Sequence, residues 1–312
     1  MIRLGFSIRI LGASNLPSHD ARSWDDGAHL SMSLAYLRDV LLYLQANDIQ
    51  LYRMHSRLLA STLVEDPALR QTQIRECRAL IDALQVRIAE SGVRLTLHPY
   101  SAVVLNAPDE ERIAQSLVRL GAYTELLDML GLGPEGVVVL HVGGVYHDII
   151  ASTERFLRRY DALPERVQRR VVIENDDHRY SWVAVQAIHQ RCGVPLVFDA
   201  LHHLVHNPKG IKMQTALQEA IASWPAGVRP KLHYASPRTE LRRIQGSGRI
   251  KTPTWTEHAD YVNPFEFIRW LRDYAAVCDT DIMLEAKARD LALIQLRKDL
   301  VRFAPDISEW VR

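Results

Sequence analysis

The sequence predicts an α/β protein folded as one (β/α)8 barrel, a TIM barrel, and three observations carry that prediction. Eight short runs rich in Val, Ile and Leu recur along the 312 residues, each followed by a longer stretch with helical spacing of apolar residues. The length suits one domain over 1–312, because such barrels take roughly 250 residues as a single unit. The first strand-to-helix turn, Arg9-Ile10-Leu11-Gly12-Ala13-Ser14, lacks the Gly-x-Gly-x-x-Gly spacing that a doubly wound nucleotide-binding sheet carries there.

The expected strands are Ile2–Ile8, Leu51–Arg53, Arg94–Leu97, Val137–Leu140, Val171–Ile173, Leu196–Phe198, Lys231–Tyr234 and Ile282–Leu284. Short, continuous apolar runs suit parallel strands buried on both faces. Leu30–Leu44 repeats apolar residues every three or four positions and reads as the first helix. Pro67–Ser91 reads as a second, with Asp66 as N-cap before the proline and Gly92 closing it. Further helices are expected at Glu110–Leu130, Thr153–Tyr160, Val183–Gln190, Met213–Trp224, Pro264–Val277 and Ala288–Phe303. The polar segment Gln245–Glu257 falls between the seventh strand and its helix, where a barrel keeps its working loops.

Composition narrows the function classes. With 47% hydrophobic and 24% charged residues, the chain is neither disordered nor collagen-like nor a coiled-coil rod. A net charge of +1 names no partner, though a local basic face remains compatible with nucleic acid. Three scattered cysteines, with no Cys-x-x-Cys pair, suggest neither a disulfide framework nor a zinc knuckle. No signal-peptide pattern and no membrane-spanning apolar run is evident, so a cytoplasmic protein without a membrane or an obligate protein partner is expected. Histidine stands out at 13, against six phenylalanines.

The histidines and carboxylates fall in a pattern. The third strand ends in His98, the fourth in His141, the fifth in Glu174 and the sixth in Asp199, followed by His202 and His203. The seventh carries Lys231 and His233, and the eighth ends in Glu285, followed by Lys287. Six consecutive strands thus deliver an imidazole or carboxylate to the C-terminal face, where barrel enzymes work. A single histidine after a strand is more often a hydrogen-bonded loop residue; six strands in succession are not explained that way. Mixed imidazole and carboxylate without thiolate suits hard or borderline divalent ions. The number of donors exceeds the needs of one ion, so two or three ions are expected, with the chemistry of phosphoryl displacement within reach.

The chain resembles the UV damage endonucleases, metal-dependent barrel nucleases that nick DNA on the 5′ side of a photolesion. The resemblance covers nearly the whole chain. It rests on Met1-Ile2-Arg3-Leu4-Gly5, Leu51-Tyr52-Arg53, His98-Pro99 with Val103-Val104-Leu105-Asn106, and Leu140-His141-Val142-Gly143-Gly144-Val145-Tyr146. It continues through Ile173-Glu174-Asn175-Asp176-Asp177, Phe198-Asp199-Ala200-Leu201-His202-His203, Pro230-Lys231-Leu232-His233, His258-Ala259-Asp260-Tyr261-Val262 and Leu284-Glu285-Ala286-Lys287. Endonuclease IV and xylose isomerase barrels are broader kin. The resemblance implies His98, His141, Glu174, Asp199, His202, His233, His258 and Glu285 as metal ligands, with Glu174 as bridge and Asp260 as a weaker candidate. It implies catalytic roles for Glu174, Lys231 and Glu285, with Lys231 near the scissile phosphate. Manganese is the first expectation, with zinc, iron or cobalt as alternatives, and damaged double-stranded DNA is the implied partner.

The chain departs from the family around the lesion. Phe6 and Ile10 stand where the family carries a Tyr and an Asn. Tyr100-Ser101-Ala102 stands where a Gln or His and an aromatic probe the duplex, which makes Tyr100 and Ser101 the DNA-reading candidates. These departures keep open an alternative, a related metalloenzyme with a small-molecule substrate. A basic groove across the mouth would mark the nuclease and a closed pocket the alternative.

Other residues are weighed against simpler roles. Arg53 suits a phosphate contact and equally a structural salt bridge. Arg242 and Arg243, within the basic run Arg238–Lys251, suit backbone phosphates, against a solvated loop. Trp255 suits base stacking or loop packing. His55 and His178 read as solvated loop residues, and His203 as pointing away from the ions.

Overall fold

The computed structural model describes residues 1–14, 16, 28–99, 103–244, 246–275 and 279–312. The DNA-reading candidates Tyr100 and Ser101 lie outside the described residues, as do Ala102 and Cys278.

Eight parallel strands close into a barrel: β1 (Arg3–Ser7), β2 (Leu51–Met54), β3 (Arg94–Leu97), β4 (Val138–His141), β5 (Val171–Glu174), β6 (Leu196–Asp199), β7 (Lys231–Tyr234) and, last in the chain, β10 (Asp281–Leu284). Each strand pairs with its neighbour in sequence order, and β10 closes the ring between β7 and β1. Two further strands, β8 (Arg242–Arg243) and β9 (Ile250–Lys251), form a separate antiparallel ladder within the polar segment. Among the described residues, no helix is long and apolar enough to cross a membrane.

The predicted helices are present with local differences. Asp66 caps its helix by accepting from the Ala68 and Leu69 amides at 2.9 Å, and Gly92 ends the next at φ 62°, a conformation a side chain would strain. The predicted Pro67–Ser91 helix is two, Pro67–Glu76 and Arg78–Ser91, because the backbone leaves helical geometry at Cys77. Short helices at Ser61–Glu65, Glu165–Gln168, Ala200–Val205 and Pro305–Ser308 were not expected; at four to six residues they are too brief for a periodic signal. The helix from Pro264 is α-helical to Trp270 and continues as a π-turn over Leu271–Ala275.

The strands have two different environments. Outward residues such as Leu140, Ile173, Phe198 and Leu284 join the large apolar core shared with the helices. Inward, Val137, Val139, Val172 and Val197 form a separate small cluster with Trp224. One inward position further along the same strands come His141, Glu174 and Asp199, because side chains alternate with a period of two. Thus the apolar plug of the barrel and the polar face above it are written in the same three strands.

Candidate metal centre

Each principal donor stands at the end of a strand for the same reason. Thr96-Leu97-His98, Val139-Leu140-His141, Val172-Ile173-Glu174, Val197-Phe198-Asp199, Lys231-Leu232-His233 and Met283-Leu284-Glu285 share one form: an inward residue, an outward apolar residue that anchors the strand, then an inward donor. The observed strands β4, β5 and β6 extend one residue beyond the expected ends, so His141, Glu174 and Asp199 lie within the hydrogen-bonded barrel and are held by its register. His202 arrives differently. Asp199 caps the short helix Ala200–Val205 by accepting from the His202 amide at 2.8 Å, which turns the imidazole back over the mouth.

The donors converge. His98 Nε2 lies 3.3 Å and His233 Nδ1 3.1 Å from Glu174 Oε2, while His202 Nδ1 lies 3.3 Å from Oε1. His233 Nδ1 is also 3.4 Å from Glu285 Oε1, and His258 Nδ1 is 3.6 Å from Glu285 Oε2. The His98 and His141 rings are 5.1 Å apart, and His202 is about 6 Å from both His141 and His258. Three sets at the mouth have donor atoms mutually within 4.8 Å: His98, His141 and Glu174; Glu174, Asp199 and His202; Asp199, His233 and Glu285. Glu174 and Asp199 each belong to two of these sets. Glu174 is the residue expected as a bridge; Asp199, expected as a ligand, was not expected to be shared. A separate set, Asp176, Asp177 and His178, stands on the turn after β5; there the exposed His178 ring pairs with Asp177 at 2.7 Å.

The chemistry of the atoms at the mouth fits a metal better than a hydrogen-bond network. Both Glu174 oxygens, Asp199 Oδ2, His98 Nδ1, His141 Nδ1 and both His233 nitrogens are buried without a hydrogen-bond partner among the described residues. Such atoms are costly to bury unless something else pairs them. His98 Nε2 and His233 Nδ1 stand at 3.3 and 3.1 Å from Glu174 Oε2 yet are not aligned as hydrogen bonds, so these donor atoms converge on common space. His202 Nδ1 lies 2.9 Å from the Asn175 carbonyl; as a donor to it, the ring presents Nε2 as its lone pair.

The electrostatics follow from that crowding. Burial lowers His98 to about 4 despite the nearby Glu174. Burial opposes the imidazolium of His202 too, but Asp199, Glu174 and Glu285 outweigh it and raise the group to about 11. Burial alone would raise Glu174, yet His233, His141 and His202 hold its carboxyl well below the usual range. Glu285 is held down likewise, against burial, by Arg53 and then by His233 and His258.

Several expected residues take other places. Arg53, expected at a phosphate, is buried, and its Nη1 pairs with Glu285 Oε1. It therefore braces a donor, the salt-bridge role weighed for it. Lys231 is fully buried one inward position below His233, and its Nζ donates to Thr96 Oγ1 at 3.2 Å; burial, then Arg53 and Arg94, push its pKa well below that of a free lysine. Asp260 pairs with Arg238 on an exposed loop, outside the donor sets. His203 turns away toward Phe198 and donates from Nε2 to the Ile211 carbonyl at 2.9 Å. His55 caps a 3-10 turn rather than facing solvent alone. Arg242, Arg243 and Trp255 are exposed beyond the mouth, on or near the β8–β9 hairpin.

One feature was missed in the sequence. A cavity of about 650 Å³ lies beside His141, lined by Val103, Val104 and Tyr146 and by Arg112 and Arg179. Its shape depends on Gly143, at φ 118°, where a Cβ would collide with the Asn106 amide. Asn106 in turn donates to the Gly144 carbonyl at 2.7 Å and to Tyr180 Oη at 3.1 Å. The Gly143-Gly144 pair beside buried Asn106 was the available signal.

Known proteins share both the barrel and its length. The family model described as UV-endonuclease UvdE matches residues 28–310. The chain belongs to this family. The UV DNA damage endonuclease of Bacillus velezensis is 29% identical over 303 residues, spanning 93% of this chain and 90% of that protein. That of Halalkalibacterium halodurans is 32% identical over 219 residues, spanning 69% of this chain and 64% of that protein. The crystal structure of SacUVDE superposes with a TM-score of 0.80 at 27% identity, covering 97% of this chain and 99% of that one. Endonuclease IV from Thermus thermophilus, with a TM-score of 0.54 at 15% identity over 96% of this chain and 99% of that one, shares the barrel fold.

Proposed function

We propose that this UvdE-family chain is a metal-dependent DNA repair endonuclease that hydrolyses the phosphodiester on the 5′ side of UV photolesions or other damaged bases. The observation that carries the reading is the row of three donor sets joined by Glu174 and Asp199, at the mouth of a barrel whose relatives bear the name UV DNA damage endonuclease. The residues that would hold two or three divalent ions are His98, His141, Glu174, Asp199, His202, His233, His258 and Glu285, with Glu174 as the bridge and manganese as the first choice of ion, ahead of zinc, iron or cobalt. When bound, such ions activate a water and offset charge on the phosphodiester oxygens.

The protein's own residues supply the rest. Glu174 and Glu285, kept ionised by their neighbours, provide the negative charge that retains cations. Arg53 fixes the orientation of Glu285 from beneath. Lys231, buried beneath His233 and bonded to Thr96 Oγ1, supports the floor of the site from inside the barrel and does not reach the mouth. Arg242, Arg243 and Trp255 meet the DNA beyond the mouth, and Tyr100 and Ser101 remain the candidates for reading it.

The test is a nicking assay with duplexes carrying a cyclobutane dimer, a 6-4 photoproduct or an abasic site, with and without Mn²⁺. Cleavage immediately 5′ of a lesion, dependent on the ion, is the expected result. No nicking of any damaged duplex would overturn the reading and favour a small-molecule substrate.

A further inference from the structure

The β8–β9 hairpin carries a surface that the metal centre does not explain. Between Pro237 and Glu257 the chain has five basic residues, Arg238, Arg242, Arg243, Arg249 and Lys251, against two acidic ones, in a protein of net charge +1. The hairpin is rooted in the site. Arg238 N donates to the Glu257 carbonyl at 2.7 Å and Ala259 N to the Ser236 carbonyl at 2.9 Å, so its base is fastened between His233 and His258.

The ladder pairs Arg242 with Lys251 and Arg243 with Ile250. Side chains alternate across such a ladder, so the two pairs point to opposite faces. One face is tied down: Arg242 and Lys251 both reach the Glu257 carboxylate. The other presents Arg243 and Ile250, and Leu241 by the same alternation. Leu241 is 65% and Ile250 61% exposed, and Arg243 has no carboxylate partner among the described residues. Two exposed aliphatic side chains thus flank an arginine without a carboxylate partner among the described residues, on a positively charged hairpin. An acidic, stacked partner meets both needs. Phosphates take the arginine, and the apolar ends enter between base steps, the device used by proteins that open or kink a duplex.

We infer that this face of the hairpin is a wedge: Leu241 and Ile250 insert into the base stack of a duplex while Arg243 holds the adjacent backbone, opening the helix over the metal centre. The inference rests on the nuclease reading above and adds to it the element that offsets the unstacking cost. It places lesion discrimination partly on the loop after β7, on residues that contact no ion.

The experiment compares two substrates. One is a fully paired duplex with a single cyclobutane dimer. The other carries the same dimer opposite mismatched bases, so that it is already open. The enzyme is loaded with Mn²⁺ and has Leu241→Ser and Ile250→Ser together; exposed positions leave the fold intact, which circular dichroism and metal content verify. The expected result is a loss of about tenfold or more on the paired duplex, with activity on the open duplex within about twofold of the wild type. The bulk-retaining pair Leu241→Met and Ile250→Leu should restore most of the loss. A 2-aminopurine opposite the dimer should brighten with the wild type and not with the serine variant. Equal rates for variant and wild type on the paired duplex overturn the wedge and leave the nuclease reading standing. Equal losses on both substrates also overturn it, by assigning the residues to general binding. A wild type that nicks neither substrate overturns both readings together.

Discussion

The two ends of this barrel bury charge in opposite ways. At the N-terminal end, Asp281 accepts from Arg3 Nε and Nη2, both at 2.6 Å, and from Arg94 Nη1 at 2.7 Å. Arg94 also donates to the carbonyls of Glu135 and Arg229, each at 2.8 Å, and its guanidinium lies 5.3 Å over Trp224. The donors that reach Asp281 point at its oxygens. At the C-terminal end, Glu174 has imidazole nitrogens at 3.1–3.3 Å and no hydrogen bond to either oxygen among the described residues. Carboxylates equally buried are closed in one place and unsatisfied in the other. An ion pair completed by hydrogen bonds holds the strands together; converging donor atoms left without hydrogen bonds suit cations.

Breaking each end should therefore give different failures. The largest functional effect is expected at Glu174, which serves two donor sets. Glu174→Gln keeps the shape and removes the charge, and we expect nicking to fall by about a thousandfold or more and bound metal to drop, by analogy with the loss of other groups that act as one unit. Elemental analysis of the purified variant alongside the nicking assay checks this; full metal content with normal turnover would remove Glu174 from the centre. At the other end, Asp281→Asn leaves buried Arg94 without a carboxylate partner among the described residues and half-buried Arg3 with only Glu135. The cost should be about 3–5 kcal/mol of stability, read from denaturant unfolding, with metal content per folded molecule unchanged.

The sequence reveals these two ends unequally. The row of candidate donors is legible because imidazoles and carboxylates recur at the same place in six consecutive strands, and a period of two then sets them on one face. The apolar plug of Val139, Val172 and Val197 follows from the same period. Arg53 is not decided by sequence, since an arginine at a strand end reads equally as a phosphate contact or a salt bridge until Glu285 is seen beside it. Asp199 as a second shared carboxylate depends on three-dimensional distances. The cavity beside His141 depends on Gly143 approaching Asn106, a contact 37 residues apart in the chain. The β8–β9 hairpin reads only as a polar loop, because two-residue strands leave no periodicity to detect.

The comparison also predicts a pH dependence confined to the mouth. In metal-free protein His202 is raised to about 11, above the ordinary value near 6.5. Its imidazolium therefore stabilises the metal-free fold fully below about 6.5, and that contribution fades as pH rises toward about 11. A metal needs the neutral ring and must displace this proton. Apparent metal affinity should rise by about tenfold per pH unit between about pH 6 and 8 for the one proton released. The thermal shift on adding Mn²⁺ should be larger at the upper pH. Titration in a metal-competing indicator checks it, and a flat profile would mean that His202 is not a ligand.

A smaller effect is expected at Arg53, which joins the two modes by pairing a buried guanidinium with a donor carboxylate. Arg53→Met removes the brace but no ligand. Metal affinity should fall by about 10–100-fold, the usual scale for groups that orient a ligand. Arg53→Lys should recover only part of the loss, because an ammonium cannot reproduce the planar fork. Unchanged affinity in Arg53→Met would show that register alone orients Glu285.

The smallest and most specific effect lies outside the barrel. Arg242 is partly neutralised by Glu257 at 3.4 Å, whereas Arg243 faces the other side of the ladder with no carboxylate partner among the described residues. If the hairpin meets DNA through phosphates, neutralising the two should not be equivalent. Arg243→Gln should lower the slope of log affinity against log salt by about 0.9, the value for one lost phosphate contact. Arg242→Gln should change it less, because that guanidinium already shares its charge with a carboxylate. Both should weaken binding uniformly across sequences, since a phosphate contact carries no base identity. Fluorescence anisotropy over a salt series distinguishes the cases: equal slopes for both variants would mean that the two faces of the ladder are not distinct to DNA, and two unchanged slopes would take the hairpin out of the interface.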